Sequence, residues 1–139
     1  MKPRVTTGYS GTPLVKKLGI QKANRVLLLN APNEFKQMLA PLPADVQFES
    51  RLGPDIDIAH IFVTRKEKLN KYLTTLRKKL KPDAVLWISW PKKSAKIPST
   101  VTDNTIRELA LPLGFVDIKV CAVDEVWSGL KLVVRKELR

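Results

Sequence analysis

At 139 residues, 44% of them hydrophobic, the chain can bury one sizeable core and is too short for two, so a single domain over 1–139 is expected. Its one cysteine, Cys121, excludes an internal disulfide and a thiolate metal cluster, and no signal peptide or run of roughly 20 apolar residues appears, so the expected site is the cytoplasm, with no membrane contact. Twenty-five Lys and Arg against thirteen Asp and Glu give a net charge of +12, which attracts phosphates, nucleic acid or acidic surfaces, although cations dispersed from Lys2 and Arg4 to Lys136 and Arg139 more often mark a solvated surface than a groove.

Thr12 followed by Pro13 reads as an N-cap with proline at the first helical position, and Gly19 ends that short helix. Arg25 to Asn30 is a continuous apolar run, as in a strand covered on both faces. Asn33 caps a short helix carrying Phe35, Met38 and Leu39, which Pro41 and Pro43 terminate. Val46 to Glu49 is a brief strand, and the link from Ser50 to Ile56 is short for a parallel crossover. Asp57 to Val63 is a second buried strand. Leu69, Tyr72, Leu73, Leu76 and Leu80 then recur at helical spacing, with Lys66, Lys68, Lys71, Arg77, Lys78 and Lys79 on the other face. Ala84 to Trp90 is a third apolar strand, stopped by Pro91. Thr102 or Asp103 opens a helix with Ile106, Leu109 and Ala110 that ends before Gly114. Phe115 to Val123 and Leu130 to Arg135 alternate polar and apolar residues, which suits a sheet edge, and the Asp124 to Gly129 link between them allows only an antiparallel hairpin.

These elements predict a three-layer, Rossmann-like α/β fold. Its mostly parallel sheet has about six strands in the order 2-1-3-4-6-5, with a C-terminal antiparallel hairpin. The alternation, with Leu18-Gly-Ile leading into Arg25-Val-Leu-Leu-Leu, resembles a class I methyltransferase domain shortened by one strand and its helices. Locally, Tyr9-Ser-Gly-Thr-Pro-Leu, Leu29-Asn-Ala-Pro32, Trp90-Pro-Lys-Lys93 and Asp124-Glu-Val-Trp-Ser-Gly-Leu-Lys131 are similar to a family of small bacterial proteins known as a domain of unknown function. The methyltransferase resemblance implies a crevice for S-adenosylmethionine. Where that family has a glycine-rich turn, this chain has Asn30-Ala31-Pro32-Asn33, which removes a backbone donor and close backbone approach. Glu49 stands where an acid would grip ribose hydroxyls, although a strand-end glutamate is also an ordinary solvated residue.

In such a sheet the ligand crevice lies beyond the carboxyl ends of the strands. Asn30, Ala31 and Pro32, then Thr64 and Arg65, then Trp90, Lys92 and Lys93 fall on one rim, joined by Asp124, Glu125 and Trp127 from the hairpin turn. Trp90 suggests a stacking platform beside two cations, against the plain reading of a core ring next to Trp87 with solvated lysines. Asp124 and Glu125 are adjacent in an extended segment and point apart, so capping the turn or pairing with nearby lysines suits them better than an acid and base pair. His60, the sole histidine, reads as a satisfied core residue, and no metal-ligand spacing occurs. Ser10 and Ser128 lack a nucleophile motif.

No catalytic or metal residues emerge. The expectation is a non-catalytic binding module on a degenerate methyltransferase-like fold, holding an anionic small molecule or a protein, with no cofactor. The alternatives are an S-adenosylmethionine-dependent methyltransferase with an atypical cofactor loop, and a nucleic-acid-binding protein.

Overall fold

Helix and strand alternate over residues 11–139, the part that the computed structural model describes; Lys2, Arg4, Tyr9 and Ser10 lie outside it. The elements are α1 (Leu14–Lys17), β1 (Arg25–Leu29), α2 (Phe35–Met38), β2 (Gln47–Glu49), β3 (Ile58–Phe62), α3 (Lys66–Lys79), β4 (Val85–Pro91), α4 (Asp103–Ala110), β5 (Phe115–Ala122) and β6 (Trp127–Val134). The six strands form one sheet in the order β2-β1-β3-β4-β6-β5, as the sequence predicts. The first four are parallel and β6 runs antiparallel to both β4 and β5.

The apolar runs become the centre of the sheet because both of their faces are covered. Leu27, Ala59, Ile61, Leu86 and Ile88 point toward α3 and α4 and meet Leu69, Leu73, Leu76 and Ile106. Val26, Ile58, Phe62 and Trp87 point the other way, toward Val15 and Leu18 of the α1 region and Phe35 of α2. In register, Leu29 lies beside Ile61 and Phe62 beside Ser89, so the chain leaves β1, β3 and β4 at one common end. Pro91 pairs with Trp127, which brings the start of β6 to that same end.

Several boundaries differ from the sequence reading. Pro13 is the N-cap of α1 and Glu34 that of α2, in place of Thr12 and Asn33. At α4 the choice falls on Thr102, whose hydroxyl accepts from the Thr105 amide in a reciprocal capping box. The short link after β2 crosses β1 without a helix, and Leu52 and Ile56 on it pack into the core on the α3 side. β6 begins three residues earlier than the alternation implies, at Trp127, and it is an interior strand with Leu130 and Leu132 fully buried. Only β5 is the edge on that side. Gly114 follows α4 at φ 104°, where an added Cβ would meet Leu138 Cδ1 at 2.8 Å and Arg77 Nε at 3.1 Å. Among the described residues no helix is long and apolar enough to cross a membrane.

Candidate functional site

The common carboxyl end of the strands opens into two hollows. One, of about 320 Å³, is lined by Asn30, Phe62, Val63, Thr64, Arg65, Lys68, Tyr72 and Trp127. The other, of about 510 Å³, lies toward β2 and is lined by Leu28, Asn30, Ala31, Pro32, Asn33, Lys36, Phe48, Glu49 and Ser50. Asn30 belongs to both. It leaves β1 at φ 62°, a left-handed conformation that asparagine tolerates better than most side chains. Its Nδ2 donates to the Phe62 carbonyl at 3.2 Å and to the Tyr72 hydroxyl at 2.9 Å. One side chain thus ties the end of β1 to the end of β3 and to α3, and forms the ridge between the hollows.

The hollows differ in charge. Arg65 and Lys68 face the smaller one and no carboxylate lines it. Thr100 fixes this side: its amide donates to the Thr64 carbonyl at 2.9 Å and its hydroxyl accepts from the Lys66 amide at 2.8 Å, which anchors the start of α3. Trp127 packs edge-on against Phe62, with ring centroids 5.1 Å apart. The larger hollow is mixed. Glu49 lies 3.6 Å from an Arg25 nitrogen, and the Lys36 ammonium sits 5.0 Å from the centre of the Phe48 ring.

Of the residues proposed from sequence, Asn30, Thr64, Arg65 and Trp127 line the smaller hollow and Ala31, Pro32 and Glu49 the larger. Trp90 is elsewhere. The residue is 8% exposed and packs in the core on the α3 and α4 side, so it offers no platform at the rim. Lys92 and Lys93 line neither hollow; the Lys92 amide donates to the Val126 carbonyl at 2.7 Å, pinning the loop to the hairpin turn. One Asp124 carboxylate oxygen accepts from the amides of Val126 and Trp127 at 2.8 and 2.7 Å, a turn cap that positions Trp127. Glu125 is exposed. Tyr72 and Lys68 were missed from the rim, because their helical spacing reads only as core stripe and solvated face.

His60 is sealed below this end. Its Nε2 and the Ser89 Oγ share a hydrogen bond of 2.7 Å, its ring stacks on Phe62 at 4.5 Å, and burial pushes its pKa down to about 3. The imidazole is a neutral core group with no path to a ligand. Among the described residues, no three His, Cys, Asp or Glu side chains stand together as a metal site.

No protein-family model matches the chain, and no curated protein does. Solved structures do. A SAM-dependent methyltransferase from Aquifex aeolicus superposes with a TM-score of 0.63 at 18% identity, over 88% of this chain and 88% of that one. A TehB-like SAM-dependent methyltransferase from Corynebacterium glutamicum gives 0.54 at 8% identity, over 92% and 90%. LepI, solved in complex with SAM, gives 0.53 at 12% identity, over 88% of this chain and 47% of that one. At such identities the likeness establishes the fold, the Rossmann-like sheet of the class I methyltransferases, and leaves the chemistry to the residues. Those residues fit S-adenosylmethionine (SAM) in part: Glu49 and Phe48 flank the larger hollow as a carboxylate and a ring beside a nucleoside would, while the Asn30 side chain crosses the space that a glycine would leave open.

Proposed function

We propose that this protein is a binding module built on a methyltransferase fold, and that it holds an anionic ligand bearing a flat ring in the smaller hollow. The lining carries this reading. Two cations, Arg65 and Lys68, face the hollow without an opposing carboxylate, and Tyr72 and Trp127 supply aromatic surface beside them. A guanidinium fork and a mobile ammonium suit phosphate or carboxylate oxygens, and the rings suit a planar group. The reading assigns no catalytic residue.

Adenosine 5′-monophosphate (AMP) is a direct probe, since Trp87 and Trp90 are buried and Trp127 is the tryptophan at the hollow. Its titration is expected to quench tryptophan fluorescence with saturation. The Arg65→Glu/Lys68→Glu double variant is expected to bind at least about tenfold more weakly, equivalent to about 1.4 kcal/mol. Both side chains are exposed, so the variant keeps its fold. Equal affinity in the two proteins would remove the reading.

A second reading has one specific observation behind it: Glu49 at the end of β2, facing a hollow of about 510 Å³ in a fold that holds SAM in LepI. In this reading SAM lies across the ridge, with its ribose hydroxyls on Glu49, after the Asn30 side chain turns away from Tyr72. Calorimetry separates the two. Affinity for SAM much tighter than about 1 mM, which corresponds to about −4 kcal/mol, together with its loss in Glu49→Ala, supports this second reading; weaker binding ends it.

A further inference from the structure

The smaller hollow is not isolated on the surface, because Lys68 at its rim is also the first residue of a basic row. Leu69, Leu73 and Leu76 of α3 are buried, which turns the opposite side outward. At 3.6 residues per turn, Lys68, Tyr72, Thr75 and Lys79 share one flank, and Lys71 and Lys78 stand on the crest beside it. All four of these lysines are exposed. Among the described residues none of them is in an ion pair. Glu67 is the one acid of the helix. Arg77, expected on this basic face, is not part of it: its Nε donates to the Leu113 carbonyl at 2.9 Å, holding α3 to the turn after α4.

We infer that the ligand is single-stranded nucleic acid, with one nucleotide in the hollow between Arg65, Lys68, Tyr72 and Trp127 and the adjoining phosphates along the α3 lysines. The inference rests on the binding reading above and names its ligand. From Lys68 to Lys79 the helix rises about 16 Å, a track long enough for several consecutive backbone phosphates. Cations alone would equally suit an acidic protein. What favours nucleic acid is the pair of aromatic side chains at the head of the row, Tyr72 from α3 and Trp127 from β6, since stacking on rings beside a cationic track is the sequence-tolerant way to hold unpaired bases. A base inside a duplex has no face free for them, so the strand is single.

The test uses the whole chain with labelled 12-nucleotide RNA and DNA strands, read by fluorescence anisotropy, and AMP, read by tryptophan fluorescence, at several salt concentrations. A strand is expected to bind at least tenfold tighter than AMP. Its log K is expected to fall with log salt with a slope of about −2 to −3, at roughly −0.7 per phosphate contacted. Lys71→Glu/Lys78→Glu lies outside the hollow. It is expected to weaken strand binding at least tenfold, to flatten the slope by about 1.4, and to leave AMP affinity unchanged. A strand that binds no tighter than AMP, a flat salt response, or a double variant with unaltered strand affinity overturns this inference and leaves the binding reading standing. Poly-glutamate that displaces the strand at equal charge concentration also overturns it, in favour of an acidic protein. Failure of the unaltered protein to bind AMP removes the binding reading itself, and the inference with it.

Discussion

Replacing Trp87 by alanine is expected to lower the unfolding free energy by about 5 kcal/mol, a third or more of the roughly 5–15 kcal/mol that holds a domain together. Trp87 is fully buried in the middle of β4, in register with His60 on β3 and Lys131 on β6. Its indole N–H donates to the Leu18 carbonyl at 3.0 Å, joining the central sheet to the end of α1. Gly129 on β6 makes room for it: a Cβ there would lie 3.3 Å from Trp87 Cε3 and 3.2 Å from Val123 Cγ2. Truncation therefore opens a large cavity and leaves a buried carbonyl without its donor. Trp87→Phe separates the two effects, since it fills most of the space and loses only the hydrogen bond, at about 2 kcal/mol. Urea unfolding followed by far-ultraviolet circular dichroism measures both. A loss below about 2 kcal/mol for Trp87→Ala would show that Trp87 is not the peg holding the helix layer to the sheet.

The centre of the sheet was legible because Arg25 to Leu29, Ile58 to Phe62 and Val85 to Trp90 are apolar at nearly every position, which only strands covered on both faces require. The short link after β5 made the last two strands legible as a hairpin, while the place of β6 beside β4 was expected from the methyltransferase-like pattern and not from the link. Less legible was the facing of single side chains. Trp87 and Trp90 differ by an odd number of positions, so one strand places them on opposite faces, and that parity was available in the sequence as a sign that Trp90 would not share a surface with Trp87. No such signal existed for the Asn30 contact with Tyr72, which joins residues 42 apart, or for Trp127 reaching Phe62. Those contacts depend on how far α3 and the hairpin turn project past the sheet, and turn geometry set by Asp124 is invisible to periodicity. The rim, with Arg65 and Trp127 on it, was therefore located from the topology, while the share of Lys68 and Tyr72 in the smaller hollow came only with the packing.

Acid is expected to destabilise the fold well above the pH at which carboxylates protonate, and His60 is the cause. Burial holds its folded pKa near 3 against an ordinary 6.5, and its close neighbours are the Ser89 hydroxyl and the rings of Phe35 and Phe62, so no carboxylate offsets the cost of charging it. The unfolded chain takes up a proton below pH 6.5 and the folded chain does not until pH falls toward 3. Stability is thus fully present above 6.5 and is lost as pH falls, by about 1.4 kcal/mol per pH unit, or about 2.5 kcal/mol between pH 7 and 4.5. Two carboxylates act in a lower range. Asp117 is held below its ordinary 3.8 by the hydrogen bond from Arg107, while burial, which alone would raise Asp57, is outweighed by Lys81 and Arg25. Their contributions disappear only as pH drops through and below about 4, so the interval from 6.5 to 4.5 isolates the histidine. His60→Gln removes the titration and keeps a hydrogen-bonding partner for Ser89. It is expected to be less stable at pH 7, because the stacking on Phe62 is lost, and to show a flat profile from pH 7 to 4.5. Parallel profiles for the two proteins in urea titrations would mean that the acid sensitivity lies elsewhere, and that the His60 and Ser89 pair does not set the acid limit of the core beneath the rim.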